Sequence, residues 1–261
     1  MNTISIRESD GNIVTIEAHR SLPSTVALIR EYAKNGKPDR FVVFAEGLEH
    51  TDGTIQKGVY MSILLRPSFF PSQASLLGCM TGAAMLSALE EHTTSHLGLG
   101  WINDIYCDGK KIGNATIEGR LDDFKAYEYL IITISLTLNE KRFPPRLTDL
   151  IVEVFESGKS SISLIIARNI ISKFFRFYSN LKNSAKFMDI YTTRFMLRGR
   201  RVKFEFEGKK RRCKVQGVDT KTGELIVSVP TVSTEYRIAS RSLVTTPKRI
   251  PVKKSKKQSK A

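Results

Sequence analysis

The pair Asp108-Gly109 constrains the fold of this chain more than any other feature of its sequence. It lies between two short apolar runs, residues 105–106 and residues 112–117. Such a pair between apolar runs predicts a tight β-hairpin, because the turn needs positive φ angles that glycine adopts without steric cost. The chain must therefore build a sheet that contains this hairpin.

Three polar residues lie close to the predicted turn: Asn103, Asp104 and Lys111. Two hydrogen-bond acceptors and a cation on a rigid hairpin can bind a metal ion, a phosphate or an acyl carboxylate. A polar surface hairpin without any ligand explains the same residues. This stretch alone leaves both interpretations open.

Residues 100–118 resemble a motif of the biotin protein ligases, Lys-Trp-Pro-Asn-Asp…Gly-Lys-Lys-(Ile/Val)-x-Gly-Ile-x-x-Glu. The corresponding residues here are Gly-Trp-Ile-Asn-Asp…Gly-Lys-Lys-Ile-Gly-Asn-Ala-Thr-Ile-Glu. The resemblance implies that Lys111 contacts the acyl phosphate during adenylation and transfer. It implies that Asn103 and Asp104 line the nucleotide side of the site, with Asp104 as a ligand of Mg²⁺. The other substrate-binding residues implied by this motif are Trp101 and Gly113.

A second segment of the resemblance is residues 23–26, Pro-Ser-Thr-Val, where the family has Asp-Ser-Thr-Asn. In the family the Ser-Thr pair lies against bound biotin, so Ser24 and Thr25 are expected to line the ligand pocket. Ser24 is also a good N-cap for a helix that Gly36 would end. The capping role explains the segment without a binding function.

Residues 46–58 depart from the family. The biotin ligases have a loop there that reads Gln-x-x-Gly-Arg-Gly-Arg-x-Gly-Arg-x-Trp, and its arginines hold the biotin carboxylate and the adenylate phosphate. This chain has no arginine in the stretch and sets Glu46, Glu49 and Asp52 against Lys57. Losing two charge-assisted hydrogen bonds costs roughly 1.5–3 kcal/mol each, or about 10²–10⁴-fold in rate. The sequence therefore predicts a degenerate binding loop and impaired adenylation.

The resemblance resumes at residues 58–67, Gly-Val-Tyr-Met-Ser-Ile-Leu-Leu-Arg-Pro, and then weakens again. Where the family has the strand Gly-Ile-Gly-Ile-Asn, this chain has Thr133 and Ser135 in place of the glycines. Asn114 likewise occupies a position where the family has glycine. Because glycine in a strand often marks a close approach of backbone or ligand, these side chains would fill space near the site.

The alternation of apolar and polar residues predicts the strands, and apolar residues at helical spacing predict the helices. Strands are predicted at 13–18, 40–45, 58–67 and 127–138, and further helices at 73–92, 147–155 and 161–181. Short alternating runs at 202–206, 214–218, 225–229 and 236–238 predict a small β-barrel. The expected fold class is α+β, a mixed central β-sheet flanked by helices as in the biotin/lipoate ligases, with a small C-terminal β-barrel. The expected domains are a ligase-like domain at 1–197, the barrel at 198–246 and a basic disordered tail at 247–261.

The net charge of +15 is concentrated at the C-terminal end. Residues 198–214 carry +7 and residues 246–261 carry another +7, so the remaining chain is nearly neutral. An anionic partner would therefore meet the C-terminal end, as an acidic protein, lipid head groups or nonspecific nucleic acid. The resemblance implies a biotin carboxyl carrier domain as that acidic protein. A basic tail that is merely solvated explains the same composition.

The cysteines and the apolar runs indicate the cellular compartment of the protein. Cys79, Cys107 and Cys213 are scattered and odd in number, which argues against a disulfide framework or a zinc site. No apolar run approaches the ~20 residues of a membrane span, and residues 1–10 lack a secretory signal, so we expect a cytoplasmic protein without a membrane segment. With 23 residues before Ser24, we expect no DNA-binding winged helix and no repressor role.

Three functions are consistent with the sequence. The first is an ATP-dependent ligase with biotin, ATP and Mg²⁺ as ligands, which forms biotinyl-adenylate and transfers biotin to a lysine of a carboxyl carrier protein. The second is a catalytically inactive paralogue that serves as a binding or scaffold protein. The third is a nucleic-acid module, which only the charge supports. A variant of the first is a ligase or transferase for a related acyl cofactor such as lipoate. The sequence leaves open which of these applies and whether the chain forms a homodimer.

Overall fold

The computed structural model describes residues 2–8, 10–67, 71, 74–137, 162–206, 209–229, 232–239, 244–245 and 250. The predicted helix at 147–155 lies outside these residues, as does the predicted tail at 247–261 apart from Ile250. None of the helices in the described ranges is long and apolar enough to cross a membrane.

An eight-stranded mixed sheet forms the centre of the protein. Its strands are β1 (Asn2–Arg7), β2 (Ile13–His19), β3 (Phe41–Glu49), β4 (Ile55–Leu65), β5 (Leu97–Gly100), β6 (Asp104–Cys107), β7 (Lys110–Leu121) and β8 (Tyr127–Thr137). Their order is β1-β2-β3-β4-β8-β7-β6-β5. Strands β2 and β3 are parallel and the other neighbours are antiparallel, which confirms the predicted mixed sheet.

Helices cover both faces of this sheet, as expected for an α+β protein. They are α1 (Thr25–Lys34), α2 (Ala74–Glu90), α3 (Ile162–Tyr178) and α4 (Ala185–Arg194). Helices α2 and α3 pack with the large hydrophobic core on one face. Helix α1 covers part of the other face, where Ile29 and Ala33 contact a smaller cluster that includes Val43 and Ile131.

The predicted hairpin joins β6 to β7. Asp108 and Gly109 both have positive φ angles, 46° and 78°, as a type I′ turn requires. The turn also receives a later part of the chain, because the backbone N–H of Ile250 donates to the carbonyl oxygen of Gly109 at 2.7 Å. The local prediction from Asp-Gly is therefore confirmed.

A small antiparallel sheet follows. It comprises β9 (Arg201–Phe206), β10 (Lys209–Val218), β11 (Leu225–Val229), β12 (Val232–Ile238) and the two-residue β13 (Val244–Thr245), in the order β12-β11-β10-β9-β13. No pairing joins β12 to β13 among the described residues, so the antiparallel sheet is established and the predicted small β-barrel stays a prediction. The limits of the predicted domains stay predictions.

The turn between β10 and β11 anchors the small sheet to the rest of the protein. The carbonyl oxygen of Gly223 accepts a hydrogen bond from Trp101 Nε1 at 3.0 Å and from Cys79 Sγ at 3.7 Å. Gly223 has a φ of 77°, and a Cβ atom there would lie 2.6 Å from the backbone of Ser75. Only glycine satisfies both the left-handed backbone and the close approach of α2.

This contact predicts unequal effects of two Gly→Ala substitutions. Gly223→Ala should lower the free energy of unfolding by about 3 kcal/mol, because it adds a steric clash to the cost of the positive φ. Gly199→Ala is the matched control, since Gly199 has a φ of 76° and open space around its Cβ position. It should cost only about 1–2 kcal/mol.

Urea unfolding followed by the fluorescence of Trp101, the single tryptophan and a buried one, measures both losses. An equal decrease in the free energy of unfolding for the two variants would contradict the close packing of this turn against α2.

Candidate functional site

An irregularity in the hairpin decides where Lys111 lies. Strand β7 has one extra residue, Ile112, in its register with β6, and the resulting bulge pairs Lys111 directly with Tyr106. Asp104 precedes Tyr106 by two residues and so lies on the same face of the sheet. The bulge therefore brings Lys111 and Asp104 to one face.

These two side chains form an ion pair. Lys111 Nζ lies 2.7 Å from Asp104 Oδ1, and the side chain of Asp104 is only 2% exposed whereas that of Lys111 is 29% exposed. Asn103, the neighbour of Asp104, is also buried. The carboxylate is thus fixed inside the protein and is paired with a lysine whose side chain is partly exposed.

The same face carries further polar side chains on the neighbouring strands. Asn114 lies on it because Gly113, the residue before, pairs with Ile105 on the opposite face. Pairing then continues from Asn114 to Ser135 and on to Tyr60 across three strands. We call the following set the polar face: Tyr60, Ser62, Asp104, Lys111, Asn114, Thr116, Thr133 and Ser135.

A chain of hydroxyl groups joins α1 to this polar face. Thr25 Oγ1 lies 2.9 Å from Ser62 Oγ, which in turn lies 3.0 Å from Thr133 Oγ1. Thr25 and Ser62 are buried, and Thr133 is half-buried. Ser24 is the N-cap of α1, with its Oγ accepting from the backbone N–H of Ala27 at 3.2 Å. Both predicted residues therefore lie at the helix end next to the polar face, and the predicted cap is confirmed.

Residues 46–58 form a β-hairpin rather than an open loop. Strand β3 continues to Glu49 and pairs with the beginning of β4. The backbone N–H of Glu49 donates to the carbonyl oxygen of Leu22 at 3.0 Å, and Ser21 Oγ donates to Glu49 Oε1 at 2.6 Å. Asp52 shapes the turn, and the hydrogen bonds that it accepts from Thr54 lower the pKa of its carboxyl group. Two of the acidic residues thus have structural roles in this hairpin.

Two other predicted binding residues also have structural roles. Trp101 is fully buried and its indole N–H is bonded to Gly223. A Cβ atom on Gly113 would lie 2.2 Å from the carbonyl oxygen of Ser135, so the close pairing of β7 with β8 requires glycine there. Their expected contacts with substrate stay predictions.

In the described part of the chain, no three His, Cys, Asp or Glu side chains come together as a metal-binding group. Mg²⁺ in nucleotide sites is commonly held by one or two carboxylates and the substrate phosphates. Asp104 is a single carboxylate that is buried and already paired with Lys111, and its role as a Mg²⁺ ligand stays a prediction. The three cysteines are free and buried, and burial raises the pKa of Cys107 and of Cys213 to about 11.

Comparison with known sequences identifies relatives. The bifunctional ligase/repressor BirA of Bacillus subtilis is 25% identical over 154 residues, which are 55% of this chain and 47% of that protein. BirA of Bacillus spizizenii is 23% identical over 151 residues. The chain spans about half the length of the curated relatives it matches, and it matches no family model.

Solved structures show the same fold over most of the chain. The crystal structure of biotin protein ligase from Aquifex aeolicus superimposes with a TM-score of 0.65 at 21% identity, covering 88% of this chain and 96% of that one. A biotin protein ligase-like protein of unknown function from Silicibacter gives a TM-score of 0.61 at 16% identity, covering 87% and 94%. The chain therefore has the fold of the biotin protein ligases, and about half of it is similar in sequence to BirA. The resemblance seen in the sequence is thereby confirmed.

Three structural features of this protein were absent from the sequence prediction. They are the bulge at Ile112, the hydroxyl chain through Ser62 and the hairpin structure of residues 46–58. The sequence does contain a weak signal for the hairpin at 46–58, because Asp52-Gly53 lies between the apolar residues Leu48 and Ile55. The first two depend on strand register, which distant residues set.

The hydroxyl chain predicts a cost for removing its central member. Ser62→Ala should lower the free energy of unfolding by about 1–3 kcal/mol, because it leaves the buried hydroxyl of Thr25 without its partner. Ser21→Ala, which removes an exposed hydrogen bond to Glu49, should cost less than about 0.5 kcal/mol. Chemical denaturation measures the free energy of unfolding of both variants. A Ser62→Ala variant as stable as the wild type would contradict a stabilising role for the hydroxyl chain.

Proposed function

We propose that this protein activates biotin with ATP and transfers the acyl group to a lysine of a carrier protein. The observation that carries the proposal is the position of Lys111, whose partly exposed side chain is held by a buried carboxylate at the end of a polar sheet face. Support comes from the relatives, which are named as ligases, and from an Aquifex aeolicus enzyme of the same fold solved with biotin and ATP.

The proposed reaction has two steps. A carboxylate oxygen of biotin attacks the α-phosphorus of ATP, which forms an acyl–phosphate bond and releases pyrophosphate. The ε-amine of an acceptor lysine then attacks the acyl carbon, which forms an amide, loses a proton and releases AMP. Both steps place negative charge on oxygens of the acyl phosphate, and a fixed cation stabilises that charge.

Each residue of the site has a role in this proposal. Lys111 contacts the acyl phosphate, and Asp104 holds its ammonium in place while Asn103 and Asp104 lie toward the nucleotide. Thr25 and Ser24 line the biotin end of the polar face. Mg²⁺ bound with ATP would supply further charge neutralisation at the phosphates, with Asp104 as its protein ligand.

The hairpin at 46–58 makes a slow enzyme the expected outcome. It occupies the chain position where the resemblance implies a flexible Gly-Arg loop, and it presents Glu46 and Glu49 rather than arginines. Without two charge-assisted bonds to the adenylate, the rate should be about 10²–10⁴-fold lower than that of a ligase with the intact loop. The carrier would be a biotin carboxyl carrier domain.

One observation favours a second candidate, a protein that binds a ligand without adenylating it. Thr133 and Ser135 stand where the resemblance implies glycines, and the hydroxyl of Thr133 is already bonded to Ser62. These side chains narrow the space for an extended acyl chain above the strands. A binding or scaffold role, or a ligase with a different acyl cofactor such as lipoate, would follow from a reshaped pocket.

The test is ATP–pyrophosphate exchange dependent on biotin, with lipoate and octanoate assayed in parallel. Biotin should support slow exchange, and Lys111→Ala should reduce it by about 10²-fold or more because the fixed cation is lost. Lys110→Ala removes the same charge from the adjacent residue and should leave exchange within about twofold of the wild type.

Two outcomes would overturn the proposal. Full exchange in Lys111→Ala would remove the role of that residue. Exchange with lipoate alone, or no exchange and no thermal shift with any of the three acids, would replace biotin ligation by one of the alternatives.

A further inference from the structure

The exposed face of β9 and β10 carries several cations at regular positions. Along β9 and β10, exposed residues alternate with buried ones such as Val202 and Val215, so one face packs inward and the other meets solvent. Five of the exposed side chains are cationic, and we call them the basic ladder: Arg201, Lys203, Lys210, Arg212 and Lys214.

The strand register places like charges directly opposite each other. Arg212 pairs with Lys203, and Lys214 pairs with Arg201, while Lys210 is opposite Glu205. Like charges at directly opposite positions destabilise a sheet. Two such pairs side by side on an exposed surface therefore have no explanation in the stability of the sheet, and they indicate an anionic partner.

The spacing of the basic ladder suits a chain of phosphates. Alternate residues along a strand are about 6.6–6.8 Å apart and neighbouring strands are about 4.8 Å apart, so the cations form a regular grid. Arginine binds phosphate oxygens with two parallel hydrogen bonds, and lysine binds them as a point charge. A polymer with regularly repeated phosphates can engage several of these cations at once.

An acidic protein fits this surface less well. Protein interfaces have an apolar or aromatic core from which lysine is depleted. The exposed side chains described on β9 and β10 include no such core, since the remaining ones are Glu205 and Gln216. The sequence at 246–261, with seven further cations and no acidic residue, adds to the same charge.

We propose that the basic ladder binds the phosphate backbone of nucleic acid without recognising bases. This inference is independent of the proposed adenylation, because none of the residues in the ladder belongs to the polar face. Affinity should come from counterion release and should fall steeply with salt.

The test measures binding of a fluorescent 20-nucleotide single strand and of the matching duplex to the full chain, by anisotropy between 50 and 200 mM salt. The double variant Lys203→Gln/Arg212→Gln removes one opposed pair. For the single strand, its log–log salt slope should be smaller by about 1.4 and its affinity at 100 mM salt about 25-fold lower. Its melting temperature should not fall, because a repulsive pair has been removed.

The control variant Lys125→Gln/Lys182→Gln removes two exposed lysines outside the C-terminal sheet and should bind like the wild type. An unchanged slope of log affinity against log salt concentration in Lys203→Gln/Arg212→Gln would overturn the proposal. So would polyglutamate that binds more tightly than the oligonucleotide and loses that affinity in the same variant, because the partner class would then be an acidic protein.

Discussion

The geometry of the candidate site depends on the ion pair between Lys111 and Asp104. A buried carboxylate is costly unless a partner neutralises it, so Asp104 and the strands around it constrain the position of the ammonium group. The bulge at Ile112 places Lys111 on the same face of the sheet as Asp104, because an unbroken register would turn Lys111 to the opposite face. One extra residue in a strand thus decides on which face of the sheet Lys111 lies.

The other residues of the candidate site lie at the beginning of α1 and in the hairpin formed by residues 46–58. Ser24 and Thr25 lie at the end of α1, and the hydroxyl of Thr25 bonds to Ser62 in the centre of the sheet. Residues 46–58, by contrast, are bound into a hairpin by Leu22 and Ser21. A cation thus lies at one end of the polar face, whereas residues 46–58 form a hairpin that carries Glu46, Glu49 and Asp52.

Local turn and capping chemistry made much of the fold predictable. Asp108-Gly109 specified the central hairpin and Ser24 specified the beginning of α1, because both signals act within a few residues. Strand β1 and helix α4 were not predicted, although the alternation of Ile4 and Ile6 is a usable signal for the former. The face on which Lys111 lies could not be predicted, because a bulge changes register without any distinctive residue. The contact of Gly223 with α2 joins segments more than a hundred residues apart and has no local signature either.

The most direct measurement is a crystal structure of the protein with a non-hydrolysable analogue of biotinyl-adenylate. Our account predicts that the analogue lies along the polar face, with an acyl or phosphate oxygen within hydrogen-bonding distance of Lys111 Nζ. An analogue bound elsewhere, or bound on this face beyond the reach of Lys111, would contradict the account.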